Sequence, residues 1–187
     1  MTRRCKICLV LGAGGVRGLS HLGVLQVLER EGIPIDYLVG TSAGSIVGAA
    51  YALEPDAMEI TRRALEYFGG EEFERSSFSA LIPDSRGPQP GLVQNVINGV
   101  RKGYVFSNLL RKQSILPGEK MSVMIDSLLP DLDFKDTKIP FAIPALDLKT
   151  GDDVLITRKS IRQAVIAGCA IPGFFPPVEY NDRLLTD

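Results

Sequence analysis

The stretch Gly40-Thr41-Ser42-Ala43-Gly44 sets a serine between two glycines. It follows the largely apolar run Ile35 to Val39 and opens onto Ser45-Ile46-Val47-Gly48-Ala49-Ala50-Tyr51-Ala52. That order predicts a strand, a sharp turn and a helix, with Ser42 at the apex, where a hydroxyl stands clear of the sheet. Gly40 and Gly44 remove the Cβ atoms that would collide where strand and helix nearly touch. The five residues alone are a weak signal. Their context is stronger, because a second glycine cluster lies upstream.

That cluster is Gly12-Ala13-Gly14-Gly15-Val16-Arg17-Gly18, directly after Ile7-Cys8-Leu9-Val10-Leu11. The apolar run reads as a buried parallel strand. A helix pattern follows, apolar at Leu22, Val24, Leu25 and Leu28, and Glu31-Gly32-Ile33-Pro34 supplies its stop. The chain therefore begins strand, glycine loop, helix, strand, serine turn, helix, an α/β opening. A glycine loop in that place either cradles a pyrophosphate or presents backbone N–H groups to an oxyanion. The dinucleotide fingerprint G-x-G-x-x-G is missed by one residue, with Arg17 where glycine is needed, although Asp36 stands about where a ribose-binding acid could sit. No Gly-Lys-Ser/Thr follows, which excludes a P-loop. The oxyanion reading accounts for both glycine clusters and is preferred.

A serine hydroxyl needs a base. The sole histidine, His21, precedes Ser42, so the Ser, acid, His order of the α/β-hydrolases is excluded. His21 is read as packing at the helix start, with an upstream base as the alternative. The remaining candidates are carboxylates. An apolar run from Ile139 reaches Asp147, and Lys149-Thr150-Gly151-Asp152 turns it into a second strand, Val154 to Thr157. A short helix from Ile161 to Ala167 precedes Gly168-Cys169-Ala170-Ile171-Pro172-Gly173-Phe174-Phe175-Pro176-Pro177-Val178. Arg183 to Asp187 reads as a strand ending in an acid.

Together these residues resemble the patatin-like phospholipases, serine lipid acyl hydrolases. The matching motifs are Gly12–Gly18, Gly40–Gly44, Ala145–Gly151, Ala170–Val178 and the terminal acid. The resemblance implies a three-layer α/β/α fold with a central, mainly parallel sheet. It implies a Ser-Asp dyad without histidine, with Ser42 as nucleophile and Asp187 as base. It assigns the oxyanion hole to Gly14 and Gly15, and supporting places to Gly12, Arg17, Gly40 and Gly44. Asp147 matches a structural acid of an Asp-x-x-Thr-Gly turn and is held as the fallback base. The family's acid lies in an Asp-Gly-Gly or Asp-Gly-Ala motif with chain beyond it, whereas this sequence stops at Asp187. Residues 1–187 read as one domain, either a fragment or a truncated relative.

The expected reaction is acyl transfer: Ser42 attacks an ester carbonyl, Asp187 takes the proton, and water releases the acyl group. An aspartate near its unperturbed pKa of about 3.9 is a feeble base, so catalysis must lean on the oxyanion donors, worth about 10²–10³ in rate each in other serine enzymes. No cofactor or metal is needed. The expected partner is a lipid or fatty-acyl ester, with a thioesterase or small-ester esterase as variants of the same chemistry. A nucleotide-binding regulatory protein and a catalytically inactive interaction module are the alternatives from other classes.

Whole-chain properties agree. With 21 basic and 22 acidic residues the formal charge is −1, without the basic excess of nucleic-acid binders. No apolar run approaches the ~20 residues of a membrane span, and the basic start before Ile7 has too short an apolar core for a signal peptide. A cytoplasmic protein, peripheral to membranes if lipid is its substrate, is expected. Arg62-Arg63 reads as a solvated face, whereas Arg101-Lys102 and Arg111-Lys112 bracket Tyr104-Val105-Phe106 and could rest on anionic lipid. Cys5 and Cys8 have C-x-x-C spacing, but strand geometry points them to opposite faces. They and Cys169 are read as buried, reduced thiols. In the middle, Thr61 to Phe68 and Glu119 to Leu129 are helix-like, as are Gly91 to Val100 and Asn108 to Ile115. Phe73 to Gln89 is loop-like, and its Phe78, Leu81 and Ile82 either anchor the loop or form an apolar flap.

Overall fold

In the computed structural model, Cys8–Leu11 forms strand β1, a 3₁₀ turn spans Gly15–Leu19, and α1 runs Ser20–Arg30. The structure describes residues 5–71, 73, 114 and 116–187. The flap, the helical readings of 91–100 and 108–115, and the two basic pairs around Tyr104 lie outside the described residues. Helix α1 stops where glycine was expected to stop it. Gly32 has φ +62, its N–H bonds the Glu29 carbonyl at 3.0 Å, and Ile33 N–H bonds Leu28 at 2.9 Å. This pair of bonds is a Schellman cap. The buried stripe of α1 is Leu22 and Leu25, while Val24, predicted on the apolar face, is 49% exposed. It lies two positions from Leu22, off the 3–4-residue spacing that repeats one helix face.

β2 (Tyr37–Gly40) and α2 (Ala43–Leu53) follow, then α3 (Ala57–Gly69), whose first turn is capped by Asp56 accepting from Glu59 N–H at 2.9 Å. Arg62 behaves as the solvated residue expected, bridging Glu59 and Glu66. Arg63 differs: it pairs with Glu59 and Glu54 and also reaches a cavity wall described below. α4 spans Gly118–Leu128, β3 Phe141–Asp147, β4 Asp153–Ile156, α5 Ile161–Gly168, β5 Val178–Tyr180 and β6 Arg183–Thr186.

The strands form a six-stranded sheet. Its parallel centre joins β1 to β2 from Cys8↔Tyr37 to Leu11↔Gly40, and β2 to β3 at Leu38↔Phe141 and Val39↔Ala142. Antiparallel pairing adds β4 and β6 to β3, and β5 to β6 through a two-residue turn. In that turn Asn181 and Asp182 both have positive φ, the requirement of a type I′ hairpin. Parallel register brings the C-terminal ends of β1 and β2 together, so both glycine clusters emerge at one edge of the sheet. Leu11, Leu38, Phe141 and Ile143 are buried on one face, where α2 meets Phe141 and Leu11 through Gly48, and α5 meets Ile143 through Gly168. On the opposite face Val10 is 62% and Leu155 59% exposed.

The cysteine expectation needs correcting. Cys169 is buried, but Cys5 and Cys8 are exposed. Cys8 shares the open face with Val10, and Cys5 precedes the strand, so neither meets the helical layer. No described helix is long and apolar enough to cross a membrane.

Candidate active site

Ser42 joins β2 to α2 with φ 52 and ψ −126, the first central position of a type II′ turn, which favours glycine. A non-glycine residue in such a conformation costs about 1–3 kcal/mol and persists only where the surroundings over-determine it. They do so here. Thr41 N–H donates to Leu11 O at 2.9 Å and Gly44 N–H to Thr41 O at 2.9 Å. The Ser42 carbonyl accepts from Ser45 N–H at 2.8 Å, the Ser45 hydroxyl at 2.6 Å and the Cys169 thiol at 3.2 Å. A Cβ at Gly44 would overlap the Leu11 and Gly12 carbonyls, and one at Gly40 the Gly44 carbonyl. The glycines flanking Ser42 are thus required by close approach, as the spacing implied.

Asp187 follows β6, which β3 holds through Leu146↔Thr186 and Asp147↔Leu185. Its N–H donates to Ala170 O at 3.0 Å. Its carboxyl lies close enough to the Ser42 side chain for that hydroxyl to shift its pKa. Burial pushes the Asp187 pKa up from the ordinary carboxylate value, and the Ser42 hydroxyl nearby pulls it part of the way back. The carboxylate is therefore a stronger base than the unperturbed aspartate assumed from sequence. Ser42 itself is 7% exposed.

The glycine loop comes up beside the elbow. Gly18 packs so tightly on Ala43 that a Cβ there would lie 2.7 Å from the alanine methyl. Gly15 has φ +54 and lines the same cavity as Ser42. The N–H groups of Gly14 and Gly15 donate to no backbone carbonyl among the described residues. Backbone N–H groups without a carbonyl partner are the kind of donor that an oxyanion needs. Arg17 N–H closes the turn onto Gly14 O at 3.1 Å. Its side chain is exposed and makes no bond to the loop among the described residues, so its bond to the loop is a backbone one. Gly12 O accepts from His21 Nε2 at 2.9 Å. His21 fastens the loop to α1, the packing role expected of it.

Asp147 lies elsewhere. Its Oδ1 accepts from Lys149 N–H at 3.0 Å and Leu184 N–H at 3.4 Å, and Arg183 lies 4.0 Å from Oδ2. These bonds cap the β3–β4 turn, as an Asx turn does. Asp36 accepts from Ile7 N–H at 2.8 Å. That places it at the start of β1, at the opposite end of the strands from the glycine loop, where a ribose-binding acid would be out of reach of a pyrophosphate held there.

Ser42 opens onto an apolar cavity of about 440 Å³. Leu22, Ile46, Ala64, Phe68 and Met124 are among its walls, and Arg63 also reaches it. Phe73, read as loop from sequence, is buried in that wall and meets Phe68 edge-on with centroids 4.9 Å apart. Val16, Ile171 and Phe174, all on its lining, are 46%, 42% and 37% exposed. A strained serine, a carboxylate near it and backbone N–H groups with no carbonyl partner among the described residues, all at an apolar cavity, can together perform acyl transfer on a hydrophobic ester.

The patatin-like phospholipase family model matches residues 9–187, which include every one of these groups. The chain belongs to the patatin-like phospholipase family. A Candida glabrata protein named Lysophospholipase NTE1 is 57% identical over 181 residues, covering 97% of this chain and 9% of that protein. An uncharacterized NTE family protein of Mycobacterium tuberculosis is 34% identical over 179 residues, covering 96% of this chain and 25% of its own. Human patatin-like phospholipase domain-containing protein 6 is 30% identical over 172 residues, 92% of this chain and 10% of its own. The chain thus spans a quarter or less of the curated relatives' lengths. Among solved structures, VipD from Legionella pneumophila matches with a TM-score of 0.56 at 16% identity, covering 96% of this chain and 45% of that one. This likeness supports the patatin fold.

Three contributors escaped the sequence reading: Ser45, Cys169 and Thr186. Ser45 and Thr186 are adjacent to motif residues but polar and fully buried, a property that a single sequence does not display. Cys169 stood inside the Gly168–Val178 segment without a signal for its partner, which lies 127 residues away.

Proposed function

We propose that this chain is a serine acyl hydrolase that cleaves lipid esters through a Ser42–Asp187 dyad and a glycine-loop oxyanion hole. The observation that carries the reading is a strained, nearly buried Ser42 on an apolar cavity, with the Asp187 carboxyl near enough for the two to influence each other. Ser42 Oγ attacks the ester carbonyl carbon while Asp187 accepts its proton. The Gly14 and Gly15 N–H groups take the developing oxyanion, and the N-terminus of α2 adds a favourable partial charge. Asp187 then returns the proton to the leaving alcohol as the C–O bond breaks. In the second half, water attacks the acyl-enzyme with Asp187 again as base, and Ser42 regains its proton as the fatty acid leaves.

A cavity of about 440 Å³ falls within the range of small-molecule sites, and its apolar walls favour an acyl chain over a polar head group. The name of the Candida relative, a lysophospholipase, points the same way, toward a monoacyl phospholipid. The exposed Val16, Ile171 and Phe174 at the cavity would face the lipid surface that supplies the substrate, making the protein peripheral to membranes. The experiment is hydrolysis of lysophosphatidylcholine and of long-chain nitrophenyl esters with chelator present. Release of fatty acid by wild type and its loss in Ser42→Ala is the expected result. Equal release by both proteins, or none by wild type on any ester, would remove the reading. In the second case the interaction-module alternative takes its place.

A further inference from the structure

The nucleophile and the base come from segments far apart in the chain, and the dyad reading leaves unexplained what fixes their separation. On the Ser42 side, two of the three donors to the Ser42 carbonyl belong to the first turn of α2. The third is the Cys169 thiol, from the residue after α5. That thiol also lies 3.4 Å from the Ser45 hydroxyl, so the three groups form one buried network. On the Asp187 side, the neighbouring carbonyl, Ala170 O, accepts two bonds. One comes from Asp187 N–H at 3.0 Å and the other from the buried Thr186 hydroxyl at 2.5 Å. Between these anchor points lies one peptide unit. Cys169 N–H is itself fixed to Val165 O at 2.9 Å, which ties that unit to the end of α5.

We propose that Cys169 and Thr186 are positioning residues, and that the Cys169–Ala170 segment is a strut. One end holds the backbone of Ser42 and the other the backbone of Asp187. The proposal rests on the hydrolase reading above. The thiol suits the task. Burial pushes its pKa up to about 12, so it remains an S–H donor, and the nearby Asp187 charge pushes in the same direction. A buried thiol of this kind is inert as a nucleophile, so it serves here as a donor. The hydroxyl of Thr186 is buried and donates its proton to a backbone carbonyl inside the protein. Loss of either bond would let one member of the dyad drift, and a misplacement of about 1 Å can cost on the order of 10²-fold in rate.

The test uses Cys169→Ala, Cys169→Ser, Thr186→Val and Thr186→Ser. Three quantities are read: the rate of fluorophosphonate labelling, kcat and KM on a water-soluble ester, and amide exchange in peptides covering 40–48 and 180–187. Cys169→Ala and Thr186→Val are expected to slow labelling and kcat by about 10- to 100-fold with KM within about twofold. Each should speed exchange in both peptides. The serine variants, which keep a donor, should recover most of the loss. The double variant should lose little more than one single, since both act on one element. Should Cys169→Ala fail to fold, the Thr186 pair decides alone. Labelling and exchange at wild-type rates in Cys169→Ala and Thr186→Val would overturn the strut. So would serine variants as impaired as the apolar ones. The hydrolase reading fails separately, by a wild type that takes no label. Exchange then decides the strut without turnover: coupled loosening of both peptides supports it, and loosening of only the mutated side overturns it.

Discussion

If Ser42 is held in a glycine-favouring conformation, removing its Cβ should relieve strain rather than add disorder. The comparison is Ser42→Gly against Ser42→Ala, since both lack the hydroxyl. Ordinarily an alanine-to-glycine change at a buried site loses a methyl worth about 0.8 kcal/mol and adds about 0.5–1 kcal/mol of backbone entropy cost. At φ 52 and ψ −126 it also releases about 1–3 kcal/mol of strain. Ala49, wholly buried in the middle of α2, supplies the unstrained control. Ala49→Gly should cost about 1.5–2 kcal/mol. Ser42→Gly should therefore lie between about 0.8 kcal/mol less stable and about 1.7 kcal/mol more stable than Ser42→Ala. The difference between the two glycine effects is the strain itself, about 1–3 kcal/mol. At about 2–4 °C per kcal/mol for a chain of this size, that is a gap of roughly 2–12 °C between the two Tm shifts. Urea unfolding of the four proteins measures it directly. A Ser42→Gly variant that falls below Ser42→Ala by as much as Ala49→Gly falls below wild type would refute the strained elbow.

Gly44→Ala should remove more than about 4 kcal/mol of stability or prevent folding, because its methyl would occupy the Leu11 and Gly12 carbonyls; a soluble variant with a wild-type melting curve contradicts the close approach. Asp187→Asn should lower kcat by about 10²–10⁴-fold. In wild type, activity should rise with pH through the raised pKa of Asp187, so that the acid limb lies above the ordinary carboxylate range. The stability effect has the opposite sign. The folded state holds this proton more tightly than the unfolded chain, so stability is lost as pH rises from the unfolded pKa through the folded one. Asp187→Asn should therefore melt higher than wild type at neutral pH and lose that advantage in acid, which calorimetry at the two pH values checks. Ala64→Phe fills part of the cavity and should lower kcat/KM for long acyl esters about tenfold or more while leaving acetyl esters within about twofold; equal loss on both would place the acyl chain elsewhere.

Much of the site was legible because its residues are constrained locally. The glycines at 40 and 44 are dictated by a strand and a helix adjoining the same serine, and apolar runs on either side declare both elements. Asp187 was legible only through resemblance, since nothing in Arg183 to Asp187 says which loop the acid will meet. Cys8 and Val24 were misjudged for a related reason. Hydrophobic character marks a residue as fit for burial, but the covering layer is a tertiary fact, and β1 has helices against one face only among the described residues. Asp36 stood at a plausible sequence distance for a ribose, and the parallel register of β1 and β2 put it at the wrong end. The Cys169 bond to the Ser42 carbonyl joins residues 127 apart through a backbone atom, which no side-chain pattern encodes.

The central claim is an activated Ser42, and intact mass after fluorophosphonate treatment tests it most directly. One covalent adduct is expected on wild type, none on Ser42→Ala, and strongly slowed labelling of Asp187→Asn. A folded wild type that takes no adduct, or an adduct that persists in Ser42→Ala, would contradict it.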